Sequence, residues 1–215
     1  MPLHGGRAGR EYFGRNVFIN CPFDAEYFAL LKPLLFTVLY LGFAPRIALE
    51  RSDSGEQRIQ KICELIRVSQ FSIHDLSRLQ SSRKNEFYRL NMSFELGIEY
   101  GCRHFAVDHL RDKRCLILEK GRFDFMKALS DLSGVDIKNH GSDPARLVRC
   151  VRDWFVETAG LRGVEGSTAI WYEYNLFAEE FYSRRLAEGF SDEDLDMMPV
   201  PEYTGFIRDW VRARG

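Results

Sequence analysis

Short apolar runs of strand length alternate with segments of helical period along most of this 215-residue chain. Asn16–Asn20 (NVFIN) is almost continuously apolar, as expected of a strand covered on both faces. Residues 44–49 (APRIAL) and Phe71–Asp75 (FSIHD) read as the second and third strands. Residues 105–107 (FAV) read as a short fourth and Arg114–Glu119 (RCLILE) as a fifth, while residues 134–139 (GVDIKN) suit a strand or a turn. Helices are expected over residues 25–41, 56–69, 91–101, 123–132 and 143–158, the last opened by Pro144 at its first position. Pro33 should kink or split the first of these near Lys32, and Gly42 should end it. Ile59, Ile62, Cys63 and Ile66 mark the buried face of the second. Strands and helices in this rhythm predict a parallel sheet with helices on both faces, and right-handed crossovers make it doubly wound.

The flanks differ from this unit. Residues 1–15 show no period and are expected to form a mobile N-terminal arm. Three glycines in residues 160–167 (GLRGVEGS) close the α/β unit at 16–159, and residues 160–215 read as a helical extension. Within it Trp171, Tyr174, Phe177 and Phe181 recur at helical spacing over 168–188, a stripe that suits a core or a subunit interface better than a ligand box. A homo-oligomer or a partner protein engaged through this aromatic helix is therefore expected.

A formal net charge of −1 gives no footprint of a nucleic-acid binder. Five cysteines without a C-x-x-C pair point to thiols in a reducing compartment. The first fifteen residues lack the apolar core of a secretory signal, and the longest apolar run, 30–43, carries Lys32 and Pro33 and is too short to span a bilayer. A cytoplasmic protein without membrane contact is expected. No G-x-S-x-G elbow, P-loop or G-x-G-x-x-G fingerprint occurs, and no spacing of His and Cys calls for a metal.

Residues 91–101 (NMSFELGIEYG) hold the strongest chemical signal. With Asn91 as N-cap, a helix here sets Asn91, Glu95 and Glu99 on one stripe. Glu95 then has Phe94 and Ile98 on one side and Met92 and Leu96 on the other, so its carboxylate is seated among apolar neighbours. Partial burial would raise its pKa. Ser93, Gly97 and Gly101 fall opposite, where a close backbone approach is expected. The helix begins beyond the carboxyl end of the third strand, the edge at which open α/β sheets bind ligands. The loops after the first three strands bring Asn20, Asp24, Asp53, Ser54 and Asp75 to the same edge. His74 reads as a core histidine.

Residues 17–24 (VFINCPFD), followed by a helix, and Phe94-Glu95-Leu96-Gly97 in the helix after the third strand resemble the nucleoside 2-deoxyribosyltransferase family and the related TIR-like domains. In those transferases a Glu-Leu-Gly helix carries the nucleophile that attacks the anomeric carbon, and TIR-type NAD-cleaving enzymes also place a catalytic Glu on this helix. Both imply Glu95. Where the transferases carry an Asp shortly before that Glu, this chain has Asn91. The resemblance spans roughly residues 16–156 and implies a flavodoxin-like α/β fold with a mostly parallel five-stranded sheet. It also implies cleavage of an N-glycosidic bond, with NAD or another nucleotide as substrate and no cofactor, and a place in bacterial immune signalling through self-association. Asn91, Asp75 and Asp53 would position ribose hydroxyls, Asn20, Asp24 and Ser54 would line the mouth, and Glu99 would complete the acidic stripe. A nucleotide sensor that does not turn over, or a pure interaction module, are the alternatives.

Overall fold

The computed structural model describes residues 12–78, 90–122 and 125–214. Five parallel strands, β1 (Asn16–Asn20), β2 (Ala44–Ile47), β3 (Phe71–Asp75), β4 (Arg114–Glu119) and β5 (Ile137–Asn139), form one sheet in the order β2-β1-β3-β4-β5. This is a flavodoxin-like α/β fold. Side chains alternate across the pleat. Val17, Ile19, Ile73 and Leu118 face α1 (Phe28–Tyr40) and α4 (Pro144–Thr158). Phe18 faces α2 (Arg58–Arg67), and Ile117 faces α3 (Asn91–Phe105). Both sheet faces are therefore covered, which is why β1 and β3 are buried at every position.

The C-terminal helices, α5 (Ser167–Ala187), α6 (Asp192–Asp196) and α7 (Val200–Arg212), share the core of α1 and α4. Phe177 stacks on Phe36 at 5.5 Å between ring centroids, and Trp210 packs edge-on against both. The aromatic stripe is thus consumed inside the chain. Its aromatic side does not supply the contact surface expected of it.

Several boundaries differ from expectation. Residues 105–107 are no strand, because α3 runs through Phe105. The expected helix at 123–132 is two single 3-10 turns, Phe125–Lys127 and Ser130–Leu132, within the described residues. Ser130 and Asp131 compete for the backbone there, and Leu129 leaves the helical region. Pro33 does not split α1, since apolar packing on several sides holds the helix together, and the Thr37 hydroxyl donates to the Pro33 carbonyl at 2.7 Å. Gly42 ends α1 as expected, at φ 83°. α2 buries Lys61, Ile62, Leu65 and Ile66, leaving Ile59 and Cys63 exposed. Of the expected N-terminal arm, residues 1–11 lie outside the described residues, whereas Phe13 is buried and its carbonyl accepts from Gln70 N–H.

Lys113, just before β4, is fully buried. Its Nζ donates to the Ile66 carbonyl at 2.6 Å and to the Ser69 carbonyl, and lies 3.3 Å from Glu99 Oε1. The ammonium closes the C-terminal end of α2 and neutralises Glu99 at once. Removing it strands a buried carboxylate, so Lys113→Met is expected to cost about 3–5 kcal/mol in urea unfolding. The double variant Lys113→Met/Glu99→Leu should regain most of that. Equal losses in the two variants would rule the pairing out.

Candidate active site

In this strand order the chain reverses direction between β1 and β3, and the crevice outside their carboxyl ends is the binding edge. Register aligns Asn20 with His74 there. Asn20 Nδ2 donates to His74 Nδ1 at 3.0 Å and to the Met92 carbonyl at 2.9 Å. The end of β1 therefore grips the first turn of α3, one turn before Glu95. His74 is a neutral core histidine, its pKa pushed down to about 3 by burial and by Lys113.

Asp75, fully buried at the end of β3, is held by three hydrogen bonds. Oδ2 accepts from the Tyr27 hydroxyl at 2.5 Å and lies 3.1 Å from His140 Nε2. Oδ1 accepts from Ser77 N–H at 2.9 Å and from the Ser77 hydroxyl. Asp75 is a hub of the fold. Ser77, His140 and Asp75 are not a nucleophilic triad. His140 Nδ1 accepts from Ser142 N–H at 3.0 Å, so Asp75 and Ser77 both crowd Nε2. That acceptance depends on a tight turn at 140–143, where Gly141 and Ser142 both sit at φ 61°.

Glu95 is the opposite case. It is only 4% exposed, yet among the described residues no hydrogen bond or ion pair engages its carboxylate. Burial pushes its pKa up to about 7, and Arg58 at the start of α2 draws it back only in part. The Cys21 thiol, fully buried just after β1, feels the charge of Asp75, Glu95 and Asp24. Its pKa is driven well up by burial first and then by these three carboxylates, so it remains a neutral thiol.

The other expected residues divide. Asn20 is committed to His74 and to the first turn of α3. Asp24 caps the 3-10 turn Ala25–Tyr27 and pairs with Arg78 at 3.0 Å. Asp53 and Ser54 lie exposed in the loop beyond β2, with Asp53 Oδ1 accepting from Gly55 N–H. Asn91 is exposed in the first turn of α3 and makes no side-chain cap, Leu90 holding the cap position. Residues 79–89, which precede it, lie outside the described residues. Glu99 shares the stripe with Glu95 but is committed to Lys113.

Tyr27, His140 and Arg58 were not expected in the site. His140 follows β5, and the rule that selected the loops after the first three strands would have selected it too. Tyr27 and Arg58 carry no local signal. No protein-family model, curated protein or solved structure matches the chain. What defines its class is an open parallel α/β sheet with one buried, unengaged glutamate beside its switch point. Among the described residues no three His, Cys, Asp or Glu side chains cluster as a metal site, and no helix is long and apolar enough to cross a membrane.

Proposed function

We propose that this chain cleaves the N-glycosidic bond of a nucleotide, with NAD as the substrate of first choice and Glu95 as the nucleophile. The observation that carries this reading is the Glu95 carboxylate itself, buried, unpaired among the described residues and placed at the ligand-binding edge. Its oxygens keep contact with solvent at that edge and are open to a ligand, whereas the deeper Glu99 is paired with Lys113.

Glycoside chemistry with a carboxylate nucleophile proceeds through two displacements. Glu95 gives an electron pair to the anomeric carbon as the carbon–nitrogen bond breaks. Its pair passes to the ring nitrogen. For a pyridinium base this produces neutral nicotinamide, and no acid is needed. That property favours NAD here, because the second carboxylate, Asp75, already accepts from the Tyr27 hydroxyl and from the Ser77 N–H and hydroxyl. Water then attacks the same carbon, the ester pair returns to Glu95, and the water proton leaves to solvent. The exposed polar groups of Asn91, Asp53 and Ser54 would meet ribose hydroxyls.

The test is incubation of the pure chain with NAD and a panel of nucleosides and nucleotides, products being followed by liquid chromatography and mass spectrometry. Wild type is expected to release free base. Glu95→Gln is expected to lose at least about 10³-fold in rate, as when a nucleophile is removed from a catalytic unit. Base release that survives in Glu95→Gln would reject the mechanism. Saturable retention of an intact nucleotide, without product, would turn the reading toward a sensor.

A further inference from the structure

The outer face of α3, away from the sheet, is apolar and, among the described residues, left uncovered. Leu90, Phe94, Gly97, Gly101 and Phe105 recur at spacings of three and four, so they line one face. Leu90 and Phe94 are each 60% exposed and Phe105 is 85% exposed. Tyr100, 48% exposed, stacks on His104 at 4.1 Å along one margin of this face. None of these positions is Asp, Glu, Lys or Arg, whereas a helix facing water ordinarily carries charge on that side. The glycines expected to admit a close neighbour have none. A Cβ at Gly97 would meet nothing within 4 Å, and one at Gly101 only the Phe105 ring of its own chain.

We infer that a second copy of this chain docks here, α3 against α3, antiparallel about a two-fold axis between Gly97 and Ile98. In that register Phe94 seats over Gly101 of the partner subunit, and Leu90 meets the partner's Phe105. At the axis Gly97 puts no side chain between the helices. Three observations favour a copy over another occupant. A two-fold contact joins a patch to itself, so it requires a surface that is its own complement, and these pairs are reciprocal. Such a contact also sets like charges close together, and this face carries no acidic or basic residue to repel its image except His104, whose opposite number is Asn91. The exposed aromatics also supply a large part of the area such a contact needs. At roughly 200 Å² for a fully buried aromatic, the exposed shares of Phe94, Tyr100 and Phe105 alone offer about 400 Å² per subunit, half of the ~800 Å² that each side of a standard interface buries. The inference is independent of the glycosidase reading, although it would hold the helix that carries Glu95 from its outer side.

Sedimentation equilibrium of the full chain over a wide concentration range tests it, together with Gly97→Glu and Phe94→Glu. Wild type is expected at twice the chain mass. Both variants are expected as monomers, with self-association weakened at least about 100-fold, in Gly97→Glu by like charges brought together at the axis and in Phe94→Glu by the lost apolar contact and a charge buried without a partner. Gly97→Glu projects into open space in the single chain, so its circular dichroism should match wild type and its thermal midpoint should match wild type diluted to monomer, which separates lost association from lost folding. A monomeric wild type overturns the inference, as does a dimer that persists in both variants. A monomer that sediments with phosphatidylcholine vesicles in a Phe94-dependent manner overturns it too, and assigns the face to a lipid surface.

Discussion

Glu95→Gln is expected to abolish base release and, above neutral pH, to make the chain harder to unfold. Both effects come from the same burial. In the folded chain the Glu95 carboxyl is held up to about 7 by desolvation, only partly relieved by Arg58, whereas the unfolded chain has the ordinary value of 4.5. Below 4.5 both states keep the proton, and the residue costs nothing. Between 4.5 and 7 the unfolded state gives up its proton first, so stability falls as pH rises. Above 7 the folded state carries an unpaired buried charge, at a cost of about 3 kcal/mol by the pKa difference. A glutamine pays none of this. The stability advantage of Glu95→Gln should be near zero at pH 4 and grow to that full size by pH 8, read as the gap between two urea-unfolding curves against pH. Parallel curves would show that the carboxylate is better solvated than its burial implies. Turnover should follow the opposite course. A nucleophile must be ionised, so wild-type kcat/KM should rise with pH along a limb centred near 7 and not near 4.5. Such a penalty, at the edge where open α/β sheets bind ligands, is what the proposed nucleophile requires.

The parts of this arrangement that were legible in the sequence are the local ones. NVFIN and FSIHD read as strands covered on both faces because continuous apolarity over so few residues has little other use, and both are buried throughout. Glu95 stood out because its flanking residues occupy neighbouring helical positions and decide its burial by themselves. Where tertiary context decides, local reading failed. The period of α2 pointed to Ile59 and Cys63, yet Lys61 is buried in their place because its Nζ reaches the Arg51 carbonyl. Phe105 and Val107 resembled a strand because β-propensity and an exposed apolar helix end share a composition; only packing tells them apart. Asp75 looked like a free acceptor for the same kind of reason. The Tyr27 hydroxyl that occupies it comes from 48 residues away, and the His140 ring reaches it from the far side of β4, 63 residues beyond Ser77. No spacing rule links such positions, which only the sheet order brings together.

That hub carries the other large effect. Asp75→Ala is expected to destabilise the chain by about 3 kcal/mol or more, because it leaves the Tyr27 hydroxyl, His140 Nε2 and the Ser77 donors in a buried region without their acceptor, at roughly 1–3 kcal/mol for each group left unmade. Removing a donor is a smaller change. Tyr27→Phe deletes one hydroxyl and leaves both Ser77 donors on the carboxylate, so it should cost about 1 kcal/mol. The informative variant is the double one. Once Asp75 is alanine, the Tyr27 hydroxyl is itself an orphan, and deleting it should cost nothing or restore stability. The cycle should therefore close with a coupling of about 1–3 kcal/mol. Costs that simply add would mean that Tyr27 finds another acceptor and that Asp75 does not organise the edge. If the coupling is present, its location explains how the site is kept in shape. Asp75 joins the helix entry after β1, the loop after β3 and the turn after β5 at one carboxylate, while Asn20 ties β1 to the first turn of α3. Glu95 can then remain unpaired without its surroundings closing over it, because every neighbouring strand end is already fixed to another.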